Sequence, residues 1–78
     1  MPLFFLHQCQ GSTYIRDDEG AEFVSLSEAK LEAIVAVREL MSETVLKGVL
    51  DLTAVFEIEG PDGQRSEVRF SEAIQVTL

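Results

Sequence analysis

The sequence predicts an α+β fold: a small antiparallel sheet in β-β-α-β-β order with one long helix packed on one face. Three observations predict it. Apolar and polar residues alternate with a period of two towards both ends of the chain. One uninterrupted segment between them carries its apolar residues at helical spacing, and short turn signatures join neighbouring strands. At 78 residues the chain is expected to make one domain, residues 1–78, since a second core needs at least as many again.

The opening strand covers residues 3–9. Leu3, Phe5, His7 and Cys9 fall on one face, and Phe4, Leu6, Gln8 and Gln10 on the other. Both faces begin apolar, so this strand is expected to be central or covered. "QGS" at 10–12 is a turn, and residues 13–16, with Tyr14 and Ile15, return as the second strand of a hairpin. The helix starts at "SLSE", 25–28, a capping box. Ser25 caps the amide of Glu28, and the Glu28 carboxylate reaches back to the Ser25 amide. It is expected to span 26–47, with Gly48 as the left-handed residue that ends it and Lys47 suiting the negative end of the dipole. "VLDLT" leads into a third strand, 54–59, and a fourth follows at 65–70. In the intervening "GPDGQ", Pro61 presets φ, Asp62 favours the next turn position and Gly63 accepts positive φ. Ala54, Phe56 and Ile58 face Val68 and Phe70, while Glu57, Glu59, Glu67 and Arg69 make a wet face. "SEAI" at 71–74 reads as one helical turn, and "QVTL" at 75–78 as a frayed end or short extra strand.

Charge excludes several classes of function. Six basic against fourteen acidic residues give a formal charge of −8. Nucleic-acid affinity comes largely from cations that replace phosphate counterions, so no DNA or RNA partner is expected. An anionic membrane surface is disfavoured for the same reason. The apolar run Leu3–Leu6 lacks the charged flank and length of a signal peptide, and no run approaches the ~20 residues of a membrane span. Cys9 is the only cysteine, which fits a reducing compartment. A cytoplasmic location is expected.

No cofactor, metal or small-molecule site is expected either. Asp17, Asp18, Glu19 and Glu22 crowd around Gly20, but "DDEGAEF" lacks the spacing of a calcium loop, and consecutive carboxylates point in different directions. The stretch reads as a solvated turn feeding the helix. His7 and Cys9 share a strand face but lack further nitrogen or sulfur donors for a metal, and lack an orienting group and oxyanion hole for nucleophilic catalysis. A packed histidine and a buried cysteine are expected, and the chain reads as no enzyme.

The helix is apolar on two sides. Leu26, Ala29, Ala33, Val37 and Leu40 make the stripe suited to the sheet, its alanines permitting close approach. Leu31, Val35 and Leu46 lie nearly opposite, with Ile34 and Val45 on the flank and Arg38 beside them. A lone helix over a sheet would carry charges there. Leu31, Ile34, Val35, Arg38 and Leu46 are therefore the candidate partner interface, and a homodimer or other protein complex is expected. Small size adds weight, since a chain this short buries only roughly 60–65% of its unfolded surface.

"MPLFFLH", "RDDEGAEFVSLSEAKLEA", "LDLT" and "FEIEGPDGQ…VRFSEAI" together resemble a family of uncharacterised small bacterial proteins, frequent in rhizobia and related alphaproteobacteria. Its pattern is M-P-x-Y-x-F-H, then D-x-E-G-x-E-x-x-D-L-x-x-A-x-x-E-A, then E-V-x-D-x-x-G and P-F-x-E-A. Phe4 stands for its tyrosine, Leu6 for its phenylalanine, Ser25 for its aspartate cap and Arg69 for its proline. The resemblance spans nearly the whole chain and implies the fold and a cytoplasmic location, with no activity attached. The stretch "DEGAEFVSLSEAKLEAIVAVRE" is also similar to the helix entry of HicB-type antitoxins, acidic partners of RNA-cleaving toxins. Two readings follow: a self-associating, non-enzymatic protein-interaction module, or an antitoxin-like inhibitory subunit whose acidic surface, including Asp17, Asp18, Glu19 and Glu22, covers a basic partner.

Overall fold

In the computed structural model, which describes residues 1–77, five strands and one long helix form two layers. The strands are β1 (Leu3–Gln10), β2 (Thr13–Ile15), β3 (Ala21–Glu22), β4 (Val55–Glu59) and β5 (Arg65–Arg69), and the helix is α1 (Leu26–Leu46). The α+β class and the antiparallel sheet agree with the sequence reading, while β3 is an addition to it. Strand order is β2-β1-β4-β5, with β3 also on β1. β1 is thus central, as its two apolar faces required.

Side-chain alternation explains which face the helix covers. Leu6 lies opposite Ile58, Gln8 opposite Phe56, and Phe56 opposite Val68, so these residues share one face. Phe4, Ile58 and Val68 are buried there against Ala29, Ala33, Val37 and Met41 of α1. The two alanines add almost no side-chain bulk, which lets α1 lie close over Phe4 and Ile58. Leu26 and Leu40 close the edges of the stripe, half-buried, and Met41 extends it beyond the expected set. The chain was expected to keep helical geometry to Lys47; the last helical residue is Leu46, with Lys47 as cap.

Both helix ends follow local chemistry. The Ser25 hydroxyl accepts from the Glu28 amide at 3.3 Å. The reciprocal bond from the Ser25 amide to the Glu28 carboxylate is not formed among the described residues, so half of the capping box operates. At the other end, Gly48 adopts φ +85°, its amide donates to the Val45 carbonyl, and the Val49 amide donates to Thr44. That pair of bonds is the Schellman closure.

The β4–β5 turn is tighter than the sequence implied. Asp62 as well as Gly63 sits in the left-handed region, at φ +58° and +76°. Asp tolerates this better than most side chains. A 3₁₀ turn over Phe70–Glu72 then places Phe70 and Ala73 in the core, where one helical turn was expected slightly later. Gln75–Thr77 belong to no strand. Leu78, the last residue of the expected frayed end, lies outside the described residues. Among the described residues no helix is long and apolar enough to cross a membrane.

Gly60 shows how tightly the core closes over β1. A Cβ built there would stand 2.6 Å from a ring carbon of Phe4, a buried side chain with nowhere to retreat. Gly60→Ala is therefore expected to lower stability by about 1–3 kcal/mol, the usual cost of overpacking, seen as a lower urea midpoint with unchanged slope.

Candidate functional site

The sequence drew attention to three places: the acidic stretch from Asp17 to Glu22, the His7–Cys9 pair, and the outer face of α1. They turn out to be different kinds of structure.

On the sheet face away from α1, His7 is only 3% exposed although no second layer covers it. Its ring stacks on Phe5 at 6.2 Å with planes within 2°, and Tyr14 leans over it at 5.7 Å. The segment after β2 closes the remaining side. The Asp17 amide donates to His7 Nδ1 at 3.0 Å, which places the proton of the neutral ring on Nε2, and Nε2 lies 2.9 Å from the Glu59 carboxylate. Both ring nitrogens are thereby engaged in holding the chain together.

Asp17 is the residue the sequence reading placed wrongly. The acidic stretch was expected to be a solvated turn, and Asp18, Glu19 and Glu22 are exposed. Asp17 instead folds inward, where its carboxylate accepts from the backbone amides of Leu6, Glu19 and Gly20 at 3.0, 3.2 and 3.0 Å. The reason lies in the sheet. β2 pairs with residues 8–10 of β1 and β3 with residues 3–4, leaving the Leu6 amide facing a gap between them. Asp17 fills that gap. Gly20 makes the return possible: at φ +71° it passes so close to β1 that a Cβ would meet Phe5 at 2.9 Å and the Phe4 carbonyl at 3.0 Å.

The electrostatics follow from this geometry. Burial alone pushes the Asp17 carboxyl up, but the Gly20, Leu6 and Glu19 amides together with His7 outweigh it and hold it below its ordinary value of 3.8. The hydrogen bond from His7 leads the effects that hold Glu59 below its ordinary 4.5, with Arg65 adding to it. Cys9 goes the other way. Burial, then the Glu57 and Glu67 carboxylates, raise its thiol pKa, the reverse of what activates a nucleophile. Cys9 is half-buried rather than enclosed. Among the described residues no group of three His, Cys, Asp or Glu side chains converges closely enough to hold a metal ion.

The outer face of α1 keeps most of the character read from its spacing. Leu31 is 66% exposed, Val35 44% and Leu46 87%, with Val45 also open to solvent. Ile34 is half-buried and packs against the core, so it borders this face rather than standing on it. Arg38 is exposed, and its Nε donates to the Ala73 carbonyl at 2.7 Å, pinning the segment after β5 to the helix. Spacing could not reveal that bond, because Ala73 lies 35 residues away. A shallow hollow of about 550 Å³ opens along the helix, lined by Val35, Arg38, Glu39, Ser42 and Glu43.

The Asp17 knot makes stability acid-sensitive with a definite sign. The folded carboxyls of Asp17 and Glu59 lie below their unfolded values, so their contribution is present above pH 4–5 and is lost as pH falls through the folded values. The urea midpoint should hold from neutral pH down to about 5 and fall as the pH drops below the unfolded carboxylate values. Asp17→Asn should flatten the fall. Asp17→Ala should cost about 1–3 kcal/mol at neutral pH by orphaning the Leu6 amide.

Comparison with known proteins returned no curated protein and no solved structure that matches. One family model matches over residues 3–71, from the start of β1 to the 3₁₀ turn after β5, and its description is "Domain of unknown function (DUF6894)". The match takes in every strand and the whole helix, and the chain belongs to that family.

Proposed function

We propose that this chain is a non-enzymatic, cytoplasmic protein-interaction module that self-associates through the outer face of α1. The observation that carries the reading is the exposure of Leu31, Val35, Val45 and Leu46 along one side of a helix whose other side is already buried in the core. A helix with a single layer to cover would carry polar groups there. Large apolar side chains left in water along several turns are the usual mark of a contact surface. The chemistry of the opposite sheet face supports the non-enzymatic part. His7, the one histidine, has both nitrogens occupied, and burial with the Glu57 and Glu67 carboxylates pushes the Cys9 thiol up.

A second reading has one observation in its favour. Asp18, Glu19 and Glu22 are exposed on a chain of net charge −8, as an inhibitory subunit covering a basic partner would require. Asp17 belongs to the fold instead and drops out of that surface. Binding of this kind would weaken steeply with salt.

Solution mass across a dilution series tests the first reading. The wild-type chain should pass from dimer to monomer on dilution, and Val35→Glu should be monomeric throughout with an unchanged circular dichroism spectrum, since Val35 lies outside the core. A wild-type monomer at every concentration overturns self-association.

A further inference from the structure

The face just described is self-complementary in one direction only. Leu31, Val35, Arg38, Ser42 and Val45 recur at alternating steps of four and three residues, the spacing of a seam between two paired helices. The middle of this seam is polar. Arg38 is flanked by Glu39, and Ser42 is too small to fill the hollow that opens between Val35, Arg38 and Glu39. Arg16, Arg65 and Arg69 all pair with carboxylates inside the chain, whereas Arg38 has none within 4.0 Å among the described residues. Its Nε is committed to Ala73, so the terminal nitrogens are what a second chain can meet.

We propose that two copies pair with their α1 helices antiparallel, about a twofold axis beside Arg38 and Glu39, an arrangement that rests on the self-association proposed above. Reversing the helix direction sets Arg38 of each chain against the partner's Glu39, making two equivalent ion pairs. The same reversal brings Val35 over the partner's Ser42, where the hollow receives it, and Leu31 against the partner's Leu46. The apolar and charged residues at the centre of the face thus find complements, while Val45 falls at the level of the partner's Glu32. A parallel pairing in register would oppose Arg38 to Arg38 and Glu39 to Glu39 and align the two helix dipoles. Charge also selects against loose association, because two chains of −8 repel except where a cation is presented. A polar pair at the centre of an otherwise apolar seam sets the register, as buried polar residues do in coiled coils.

The test is a charge exchange. Arg38→Glu and Glu39→Arg are each expected to weaken the dimer by roughly tenfold or more, and an equimolar mixture of the two chains should form a mixed dimer of near wild-type affinity. Glu39→Arg is the cleaner arm, because Arg38→Glu also removes the bond to Ala73. In a Cys9→Ser background, oxidation should link a Val35→Cys chain to a Ser42→Cys chain and leave either chain alone uncrosslinked. If the wild type dimerises and Val35→Glu abolishes it, yet the mixture gives no mixed dimer or the Val35→Cys chain links to itself, the antiparallel register is overturned while self-association stands. A wild type that is monomeric throughout overturns both.

Discussion

One edge of β1 pairs along most of its length with β4, while the opposite edge is divided between β2 and β3. The Leu6 amide falls in the division. A buried or half-buried N–H without an acceptor costs as much as a lost hydrogen bond, so that edge has to be completed by something other than a strand. The Asp17 carboxylate completes it. The link between β2 and β3 can then turn at Gly20 and deliver the chain to Ser25, where α1 begins. With α1 placed by that entry and by its two alanines, the core over Phe4 and Ile58 closes.

The same edge explains the unusual burial of His7. A sheet with one helical layer leaves its other face to water, and Glu67 and Arg69 behave accordingly. His7 is sheltered because the Asp17 segment passes over it while Phe5 and Tyr14 flank its ring. Its two nitrogens then join three parts of the chain, since Nδ1 meets the Asp17 backbone and Nε2 reaches Glu59 on β4. His7 and Glu59 thus fasten β1, β4 and the Asp17 segment to one another.

The far side of α1 carries the apolar residues on which the proposed association rests. The core takes up Ala29, Ala33, Val37 and Met41, and the residues at the opposite pole of the helix have no layer of their own. A small domain has few ways to supplement a modest core, and association is one that needs no disulfide and no metal. In the proposed association, the stripe of Leu31, Val35 and Leu46 would supply the apolar contact and the Arg38–Glu39 step its direction.

Much of this was legible in the sequence because its causes are local. Helix limits followed from Ser25 and Gly48, strand faces from alternation, and the β4–β5 turn from Pro61 and Gly63, each acting within a few residues of itself. The outer-face residues were legible too, since helical spacing alone puts Leu31, Val35 and Leu46 on one side. The tertiary structure decided what depends on distant groups meeting. Strand order, the two-residue β3, the inward turn of Asp17, the sheltering of His7 and the bond from Arg38 to Ala73 each depend on at least one pairing of residues ten or more positions apart. A carboxylate in "RDDEG" looks the same in a solvated turn as in a closed sheet edge. Only the unpaired amide of Leu6, brought alongside by the fold, distinguishes Asp17 from Asp18.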